Sequence, residues 1–314
     1  MFEPILFHRL RNAGRVLLAG AGGGFDVYAA LPIAVALADA GIEVAFANLS
    51  FAPLDSLELD AWLDMNLAVI GPDTRCRPEG YFPERSLARW LGRNGFPARV
   101  YAFPMTGVQP LRAAYQRLIT HLAASAVVIV DGGTDMLLRG DESDLGTPVE
   151  DMATLAAVAG IAGPVKLAAS VGFGIDRVNH AQVLENIAAM ATDGSYLGAF
   201  SIPCHSRPGE LYLDAVDHVQ AETPTWPSIV HGQMAAALRG KFGDIELSER
   251  TRGSTLFVNP LMDIYFTFDL DGLAARNLYL DQIENTIHID QIAVAIERFR
   301  NSLPATRQAQ VIPH

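Results

Sequence analysis

The chain has 314 residues, of which 50% are hydrophobic and only 18% are charged, so it can bury a large core and is not a disordered protein. Its formal net charge of −12, with no basic cluster, argues against binding nucleic acid through the phosphates. The longest apolar run, residues 27–38, is well short of the roughly 18 residues that a membrane span needs, so we expect no membrane association.

The first predicted unit is a βαβ arrangement. Residues 15–19 predict a strand that runs into a glycine-rich turn. Residues 27–38 predict a buried helix, in which Pro32 either produces a kink or marks the true start. Residues 41–48 predict the next strand, after a glycine that ends the helix. This order of elements is typical of nucleotide-binding folds.

The glycine-rich turn departs from the dinucleotide-binding pattern at two positions. Phe25 stands where the third glycine or an alanine is expected, and Asn48 replaces the acidic residue that would bind ribose. Asp26 adds a negative charge where a phosphate would bind. The turn therefore indicates close approach of a ligand other than ordinary NAD, the alternative being a tight turn without a ligand. The residues that we expect to bind the ligand here are Gly20, Gly22, Gly23, Gly24, Asp26 and Asn48.

The middle of the chain continues the alternation of strands and helices. Residues 68–70 and 99–103 predict strands, and residues 84–93 and 111–124 predict helices. The second of these helices leads to the most distinctive stretch of the sequence, an apolar run followed by acidic residues.

Four apolar and mostly β-branched residues, 127–130, run directly into Asp131 and indicate a buried strand. Ligands of open α/β sheets bind at the carboxyl ends of such strands. Asp131, Asp135, Asp141 and Glu142 place four carboxylates within twelve residues, and carboxylates this crowded need a cation, a shared proton or a basic ligand group. The alternative is a polar loop whose acids face water. The further ligand-binding residues expected in this loop are Gly132, Gly133 and Thr134.

Residues 147–150 have the pattern of a capping box, with Thr147 as the cap and Glu150 three residues later, so we expect Glu150 and Asp151 to have a structural role at the start of a helix that reaches residue 159. Residues 165–171 predict a strand that runs into Gly172, which would add a third glycine-bearing loop to the same rim. A strand at residues 196–202 would present His205 as a second proton-transfer group.

Toward the carboxyl terminus, a helix is expected from His231 to about residue 239 and another at residues 290–301. Residues 255–258 and 264–268 predict two strands, joined as a hairpin around Asn259 and Pro260. The whole pattern predicts an α/β, Rossmann-like, doubly wound fold with a mostly parallel sheet and helices on both faces. We expect a single domain over residues 1–314, completed by the strand pair and helix at about 250–303.

Several of these motifs together resemble the family labelled domain of unknown function 1152, or DUF1152. The resemblance implies one continuous α/β domain over most of the chain, and it brings no established activity or catalytic residue. The motifs that carry it are residues 18–26 (LAGAGGGFD), 47–51 (ANLSF), 130–135 (VDGGTD), 139–142 (RGDE), 146–151 (GTPVED) and 259–262 (NPLM).

These observations favour an enzyme of hydrolase or lyase type that acts on a small nucleoside-like or phosphorylated substrate. Asp131 and Asp135 are the expected ligands if a divalent cation such as magnesium, manganese or calcium is bound. The expected catalytic acids and bases are Asp135, Asp141, Glu142 and His205.

Two other functions stay open, a nucleotide-dependent oxidoreductase that uses the glycine-rich turn and a non-catalytic protein that binds a small ligand. The two cysteines, Cys76 and Cys204, fit free thiols in a reducing cytoplasm, where we expect the protein to reside. The apolar helix near the carboxyl terminus and the acidic surface allow a homo-oligomer without requiring one.

Overall fold

The computed structural model describes residues 3–176, 178–245 and 256–311, and one nine-stranded sheet organises them. Two further short strands, β9 (Gly243–Asp244) and β10 (Phe257–Val258), pair with each other outside that sheet. The strands of the large sheet are β1 (Arg15–Gly20), β2 (Glu43–Leu49), β3 (Trp62–Asp64), β4 (Leu67–Ile70), β5 (Val100–Phe103), β6 (Ala126–Asp131), β7 (Val165–Ser170), β8 (Tyr196–Ser201) and β11 (Ile264–Asp269).

The strand order across the sheet is β3-β4-β5-β2-β1-β6-β7-β11-β8. The five central strands, from β5 to β7, are parallel to one another, whereas β4 and β11 run antiparallel to the strands beside them. In register, Ala19 of β1 pairs with Ala47 of β2 on one side and with Ile129 of β6 on the other. The central strands therefore all end at one edge of the sheet.

The central strands are apolar on both faces because helices cover both. All six residues of β6 are buried. Val127 and Ile129 point into one core, and Val128 and Val130 point into a second core on the other side. This alternation is what a strand buried between two helical layers requires.

The helices pack in two layers on the sheet. Residues of α4, α5, α6 and α11 share the core of Val127, and residues of α2, α3, α7 and α8 share the core of Val128, so the predicted α/β, Rossmann-like architecture is confirmed. The helices are α1 (Ile5–Leu10), α2 (Leu31–Asp39), α3 (Pro83–Arg93), α4 (Val108–Leu122), α5 (Pro148–Ala159), α6 (His180–Asp193), α7 (Arg207–Glu222), α8 (Ile229–Leu238), α9 (Leu270–Arg276), α10 (Leu280–Ile283) and α11 (Ile289–Ser302).

The structure differs from the sequence prediction at two places in the chain order. The helix expected over residues 27–38 is divided into a 3₁₀ helix, Asp26–Ala30, and α2, with Pro32 in the first turn of α2, so Pro32 marks a start and not a kink. The hairpin expected around Asn259 and Pro260 is wrong, because β10 pairs with β9 while β11 enters the large sheet between β7 and β8. Thr255, predicted as the first residue of that hairpin, lies outside the described residues.

Within residues 3–176, 178–245 and 256–311, the structure contains no helix that combines the length and the apolar character needed to cross a bilayer.

Candidate functional site

The loops that follow β1, β2, β6 and β7 lie at one edge of the sheet, because these four strands are adjacent and parallel. The chain passes from β1 to β2 on one side and later returns to β6 on the other side of β1. In open α/β sheets, such a reversal of strand order leaves a crevice at the carboxyl ends of the strands, and ligands bind there. The glycine-rich turn after β1 and the acidic loop after β6 border this crevice.

Three carboxylates meet in the crevice, and we call Asp26, Asp131 and Asp151 the central carboxylates. One oxygen of each lies within 4.8 Å of the corresponding oxygens of the other two. Asp131 ends β6, Asp26 begins the 3₁₀ helix after the glycine-rich turn, and Asp151 lies in the first turn of α5. The side chains of Asp131 and Asp151 are buried, with 3% and 2% of their surface exposed, and Asp26 is half-buried.

The central carboxylates are only partly satisfied by hydrogen bonds. Asp131 accepts one from the Gly133 amide at 2.9 Å, and Asp26 accepts one from the Gly22 amide at 2.7 Å. Asp131 Oδ2 and Asp151 Oδ1 are buried and have no hydrogen-bond partner among the described residues. No ion pair joins a basic side chain to any of the three within the described part of the chain. Buried carboxylate oxygens that lack partners are costly, so they point to a ligand.

Two more carboxylates flank this group, and each is held by a threonine. Asp135 accepts hydrogen bonds from the amide and the hydroxyl of Thr147, at 2.8 and 3.1 Å. Asp176, which lies in the loop after β7, accepts one from the Thr134 amide at 2.6 Å. These five residues together, the central carboxylates with Asp135 and Asp176, form what we call the acidic cluster.

Burial and mutual repulsion favour the protonated form of this cluster. Burial, with the charges of Asp135 and Asp176 added, raises the pKa of Asp26 to about 8 despite the hydrogen bond from Gly22. Burial and the charge of Asp135 raise the pKa of Asp176 to about 7. The pKa values of Asp131 and Asp151 are raised well above their usual range, first by burial and then by the neighbouring carboxylates. The crevice therefore holds protons at neutral pH unless a cation replaces them.

The glycines of the crevice make room for these carboxylates. A Cβ atom at Gly22 would lie 2.6 Å from Asp151 Oδ1 and 2.7 Å from Asp26 Oδ2. A Cβ atom at Gly132 would lie 3.0 Å from Asp26 Oδ1, and one at Gly133 would lie 2.5 Å from Asp176 Oδ2. The glycine-rich turn and the acidic loop therefore line the same crevice.

Gly172 packs on the acidic loop rather than on a carboxylate. A Cβ atom there would lie 2.9 Å from the Gly132 carbonyl oxygen, and the backbone φ of Gly172 is +85°, which favours glycine. Thr134 has its hydroxyl 3.4 Å from Asp176 Oδ2. Gly172 and Thr134 therefore contribute to the crevice by holding its loops together, through the contact with Gly132 and the hydrogen bond to Asp176.

Asn48 supports the glycine-rich turn from the end of β2. Its side-chain amide donates to the Gly24 carbonyl and to Glu84 Oε1, each at 2.7 Å, and its Oδ1 atom lies close to Gly20. Glu84 is fully buried in the first turn of α3, and burial raises its pKa to about 7. The sequence pattern pointed to Asn48 as a ligand-binding residue, and its two donors are taken by the protein itself.

Asp141 and Glu142 were expected in the same catalytic group as Asp135, and the structure gives them partners outside the acidic cluster. Glu142 accepts hydrogen bonds from the amides of Arg139 and Gly140, the Asn186 side chain and the Arg307 guanidinium. Arg307 also pairs with Asp141 at 3.0 Å. Both oxygens of Glu142 are occupied by hydrogen-bond donors. We therefore replace the expected catalytic role of Asp141 and Glu142 with a structural one, in which they anchor the segment around Arg307.

His205 was expected beside the acidic loop, and the structure separates the two. The side chain is exposed in the loop between β8 and α7. Two residues later, Arg207 pairs with Asp39 at the end of α2 and lines a cavity with Arg15 and Glu43, which begin β1 and β2. The chain has therefore returned to the opposite edge of the sheet, and His205 has no place in the crevice.

Two residues of the acidic cluster, Asp151 and Asp176, were not among the expected site residues. The capping-box prediction assigned Asp151 a structural role, but no side chain caps α5, and the Thr147 hydroxyl bonds to Asp135 instead. Asp176 carried a signal, because it follows a predicted strand and its glycines. Asp151 carried one only through the acidic motif at residues 146–151.

Comparison with known proteins gives a family but no activity. The family model described as "Protein of unknown function (DUF1152)" matches residues 17–301, which include the whole acidic cluster. Neither the curated proteins nor the solved structures contain a match to this chain.

Proposed function

This chain belongs to the DUF1152 family, and we propose that it is an enzyme of hydrolase or lyase type that uses a divalent cation to act on a small nucleoside-like or phosphorylated substrate. The observation that carries this proposal is the convergence of Asp26, Asp131 and Asp151, with two buried oxygens that have no hydrogen-bond partner among the described residues. The cation would be held by these three carboxylates, so Asp151 and Asp26 join Asp131 as ligands in place of Asp135.

The donor set fits a hard cation. All three groups offer carboxylate oxygens, which magnesium, calcium and manganese prefer over softer metals. Ligand oxygens on opposite sides of one such ion are about 4–5 Å apart, and the three oxygens here lie within 4.8 Å of one another. Burial and, after it, repulsion among the carboxylates raise the pKa values of Asp131 and Asp151, and a cation would remove that repulsion. Charge, distance and chemistry thus agree.

A bound cation would supply a polarised substrate oxygen or an activated water molecule. The remaining steps belong to the protein. Asp176, with a pKa of about 7, can accept or give a proton at neutral pH, and the Thr134 amide holds its carboxylate in place. Asp135 is fixed by Thr147 beside the central carboxylates and adds negative charge that favours cation binding. We assign Asp176 as the general acid or base and Asp135 as a positioning residue.

The alternative of a nucleotide-dependent oxidoreductase is less well supported. In dinucleotide-binding folds, the amides of the glycine-rich turn bind the pyrophosphate. Here the Gly22 amide donates to Asp26, and a Cβ atom at Gly22 would already touch two carboxylates. A phosphate at this point would find the Gly22 amide already bonded and two carboxyl groups in its place. A non-catalytic protein that binds the same cation and ligand is the other alternative, and an activity assay separates it from the enzyme.

The experiment is calorimetric titration of magnesium, manganese and calcium into the protein at pH 8, where the cluster exchanges protons for the cation most readily. We expect binding that Asp131→Asn and Asp151→Asn abolish. Asp55→Asn, which removes an exposed carboxylate of a 3₁₀ helix outside the acidic cluster, is the matched control and should bind normally. Absence of binding by the unmodified protein would overturn the cation-dependent function. Product chromatography with nucleosides, nucleotides and sugar phosphates then tests turnover.

A further inference from the structure

A small pocket of about 320 Å³ opens beside the acidic cluster, between the glycine-rich turn and the start of α8. Four aromatic side chains surround it, and we call it the aromatic pocket: Phe25, Phe51, Tyr81 and Trp226. Its volume is at the lower end of the range for pockets that bind small molecules, about 300–1,000 Å³.

Two of these rings are held in place from behind. Phe25 and Tyr81 meet edge to face, with ring centroids 5.3 Å apart. The carbonyl of Phe25 accepts a hydrogen bond of 2.8 Å from Nε2 of His231, which is fully buried in α8. Burial lowers the pKa of His231 to about 4, so this ring is neutral and the contact persists at physiological pH. The back of the pocket is therefore preorganised.

The other two rings lie at the mouth and are exposed, Phe51 by 46% and Trp226 by 54%. The Phe51 ring rests directly on the glycine-rich turn, since a Cβ atom at Gly24 would lie 3.0 Å from its Cε2 atom and 2.8 Å from the hydroxyl oxygen of Tyr81. Large exposed aromatic surfaces beside a crevice are typical of binding sites. The absence of a side chain at Gly24 thus lets Phe51 and Tyr81 pack directly against the backbone of the glycine-rich turn.

The aromatic pocket and the acidic cluster are continuous. Asp26 belongs to both, because it lines the pocket and is one of the central carboxylates. Val230 also lines the pocket, and a Cβ atom at Gly132 would lie 3.2 Å from its Cγ1 atom and 3.0 Å from Asp26 Oδ1. A ligand of moderate size can therefore touch the aromatic walls and the cation ligands at once.

We propose that the aromatic pocket binds a planar heteroaromatic ring, so that the substrate is a nucleoside or nucleoside phosphate rather than a sugar phosphate alone. Aromatic side chains stack on a base through its π-face and are tolerant of which base it is. Asp26 is the only charged side chain among the described residues that line the pocket, so a phosphate has no basic partner there. The ring would occupy the aromatic pocket, and the sugar and phosphate would extend toward the central carboxylates. This inference rests on the proposed function, since the cation binds the polar end of the substrate.

The test compares ligands with and without the ring. Adenosine, guanosine, cytidine and uridine, the monophosphates of these four nucleosides, and ribose 5-phosphate would be titrated with and without about 5 mM magnesium chloride, with tryptophan fluorescence and calorimetry as readouts. We expect the best nucleotide to bind about 10- to 100-fold more tightly than ribose 5-phosphate, the gain that stacking of one base provides. Phosphorylated ligands should depend on magnesium, and the free nucleosides should depend on it much less.

Variants test whether the aromatic pocket is the source of the preference for nucleotides over ribose 5-phosphate. Trp226→Ala and Phe51→Ala should each remove most of the preference for nucleotides while leaving magnesium binding unchanged. Phe242→Ala, which removes a ring that is 51% exposed beyond the other end of α8, is the matched control and should keep the preference. Because Phe51 and Trp226 are exposed, their removal should not unfold the protein.

The outcomes distinguish this inference from the proposed function. If magnesium binds but ribose 5-phosphate binds as tightly as every nucleotide, the ring-binding role is overturned and the cation site stands. A nucleotide preference that survives Trp226→Ala and Phe51→Ala also overturns it. If nucleosides bind through Trp226 and no divalent cation binds, the proposed function fails and only the aromatic pocket is supported.

Discussion

Gly22→Ala tests the geometry of the acidic cluster without changing its charge. The added Cβ atom would lie 2.6 Å from Asp151 Oδ1 and 2.7 Å from Asp26 Oδ2, so the nearer oxygen must move by about 0.8 Å to reach an ordinary contact of 3.4 Å. The backbone of Gly22 lies outside the left-handed region, and alanine is therefore tolerated there on conformational grounds. Asp151 is buried in the first turn of α5 and has little room to retreat.

Gly22→Ala should lower both the stability of the protein and its affinity for the cation. Forcing one methyl group into this packed position should lower the free energy of unfolding by about 1–3 kcal/mol. Displacing two of three ligand carboxylates should weaken cation binding by about 10- to 100-fold, the range seen when the surroundings of a metal site are disturbed. Gly14→Ala is the matched control, because a Cβ atom at Gly14 meets nothing within 4 Å. Gly14→Ala should change neither the free energy of unfolding nor the affinity for the cation by more than the experimental error.

The assays are urea denaturation in the presence of a chelator, for stability, and calorimetric titration of magnesium and manganese, for affinity. A Gly22→Ala protein that binds the cation with the affinity of the unmodified protein would contradict the proposed cation site, because the ion could not then lie between Asp26 and Asp151. Equal losses in Gly14→Ala would also refute it, since the effect would not be local to the crevice.

Without divalent cations, the free energy of unfolding should fall as pH rises from about 4 to 8, because the folded chain keeps protons on Asp176 and Asp26, with pKa values of about 7 and 8, that the unfolded chain releases near pH 4. Urea denaturation at several pH values would measure this fall, and saturating magnesium should flatten it. A free energy of unfolding that rises over this pH range would contradict the prediction. Arg307→Ala should destabilise the protein by about 2–3 kcal/mol, less than for a fully buried pair because the Arg307 side chain is 29% exposed, while cation affinity stays unchanged in calorimetry. A large loss of affinity in that variant would return Asp141 and Glu142 to the candidate site.

The sheet and one part of the site could be predicted because they depend on local patterns. The apolar run at residues 127–130 forms β6, and Asp131 ends it, as a buried strand that runs into an acid indicates. The glycine-rich turn after β1 was predicted in the same way, because the apolar strand at residues 15–19 runs directly into glycines. Since parallel strands end at one edge, the meeting of Gly22 and Gly132 with the carboxylates follows from the predicted fold class.

The rest depends on contacts between distant residues. The pattern at Thr147 satisfies the rule for a capping box, yet the Thr147 hydroxyl bonds to Asp135, twelve residues earlier, and Asp151 turns into the crevice. Glu142 is satisfied by Arg307, 165 residues later, which no local rule could show. His205 follows a strand as expected, but its loop returns to the opposite edge of the sheet. Local signals thus locate strand ends, and long-range packing decides which acids meet.

Crystals of the protein grown with manganese at pH 8 give the most direct test of the cation site, because manganese scatters anomalously and its position can be mapped independently of the surrounding atoms. The proposal predicts one strong anomalous peak about 2.2 Å from an oxygen of each of Asp26, Asp131 and Asp151, and no such peak in Asp131→Asn crystals. An acidic cluster with the same arrangement and no anomalous peak among these carboxylates would contradict it.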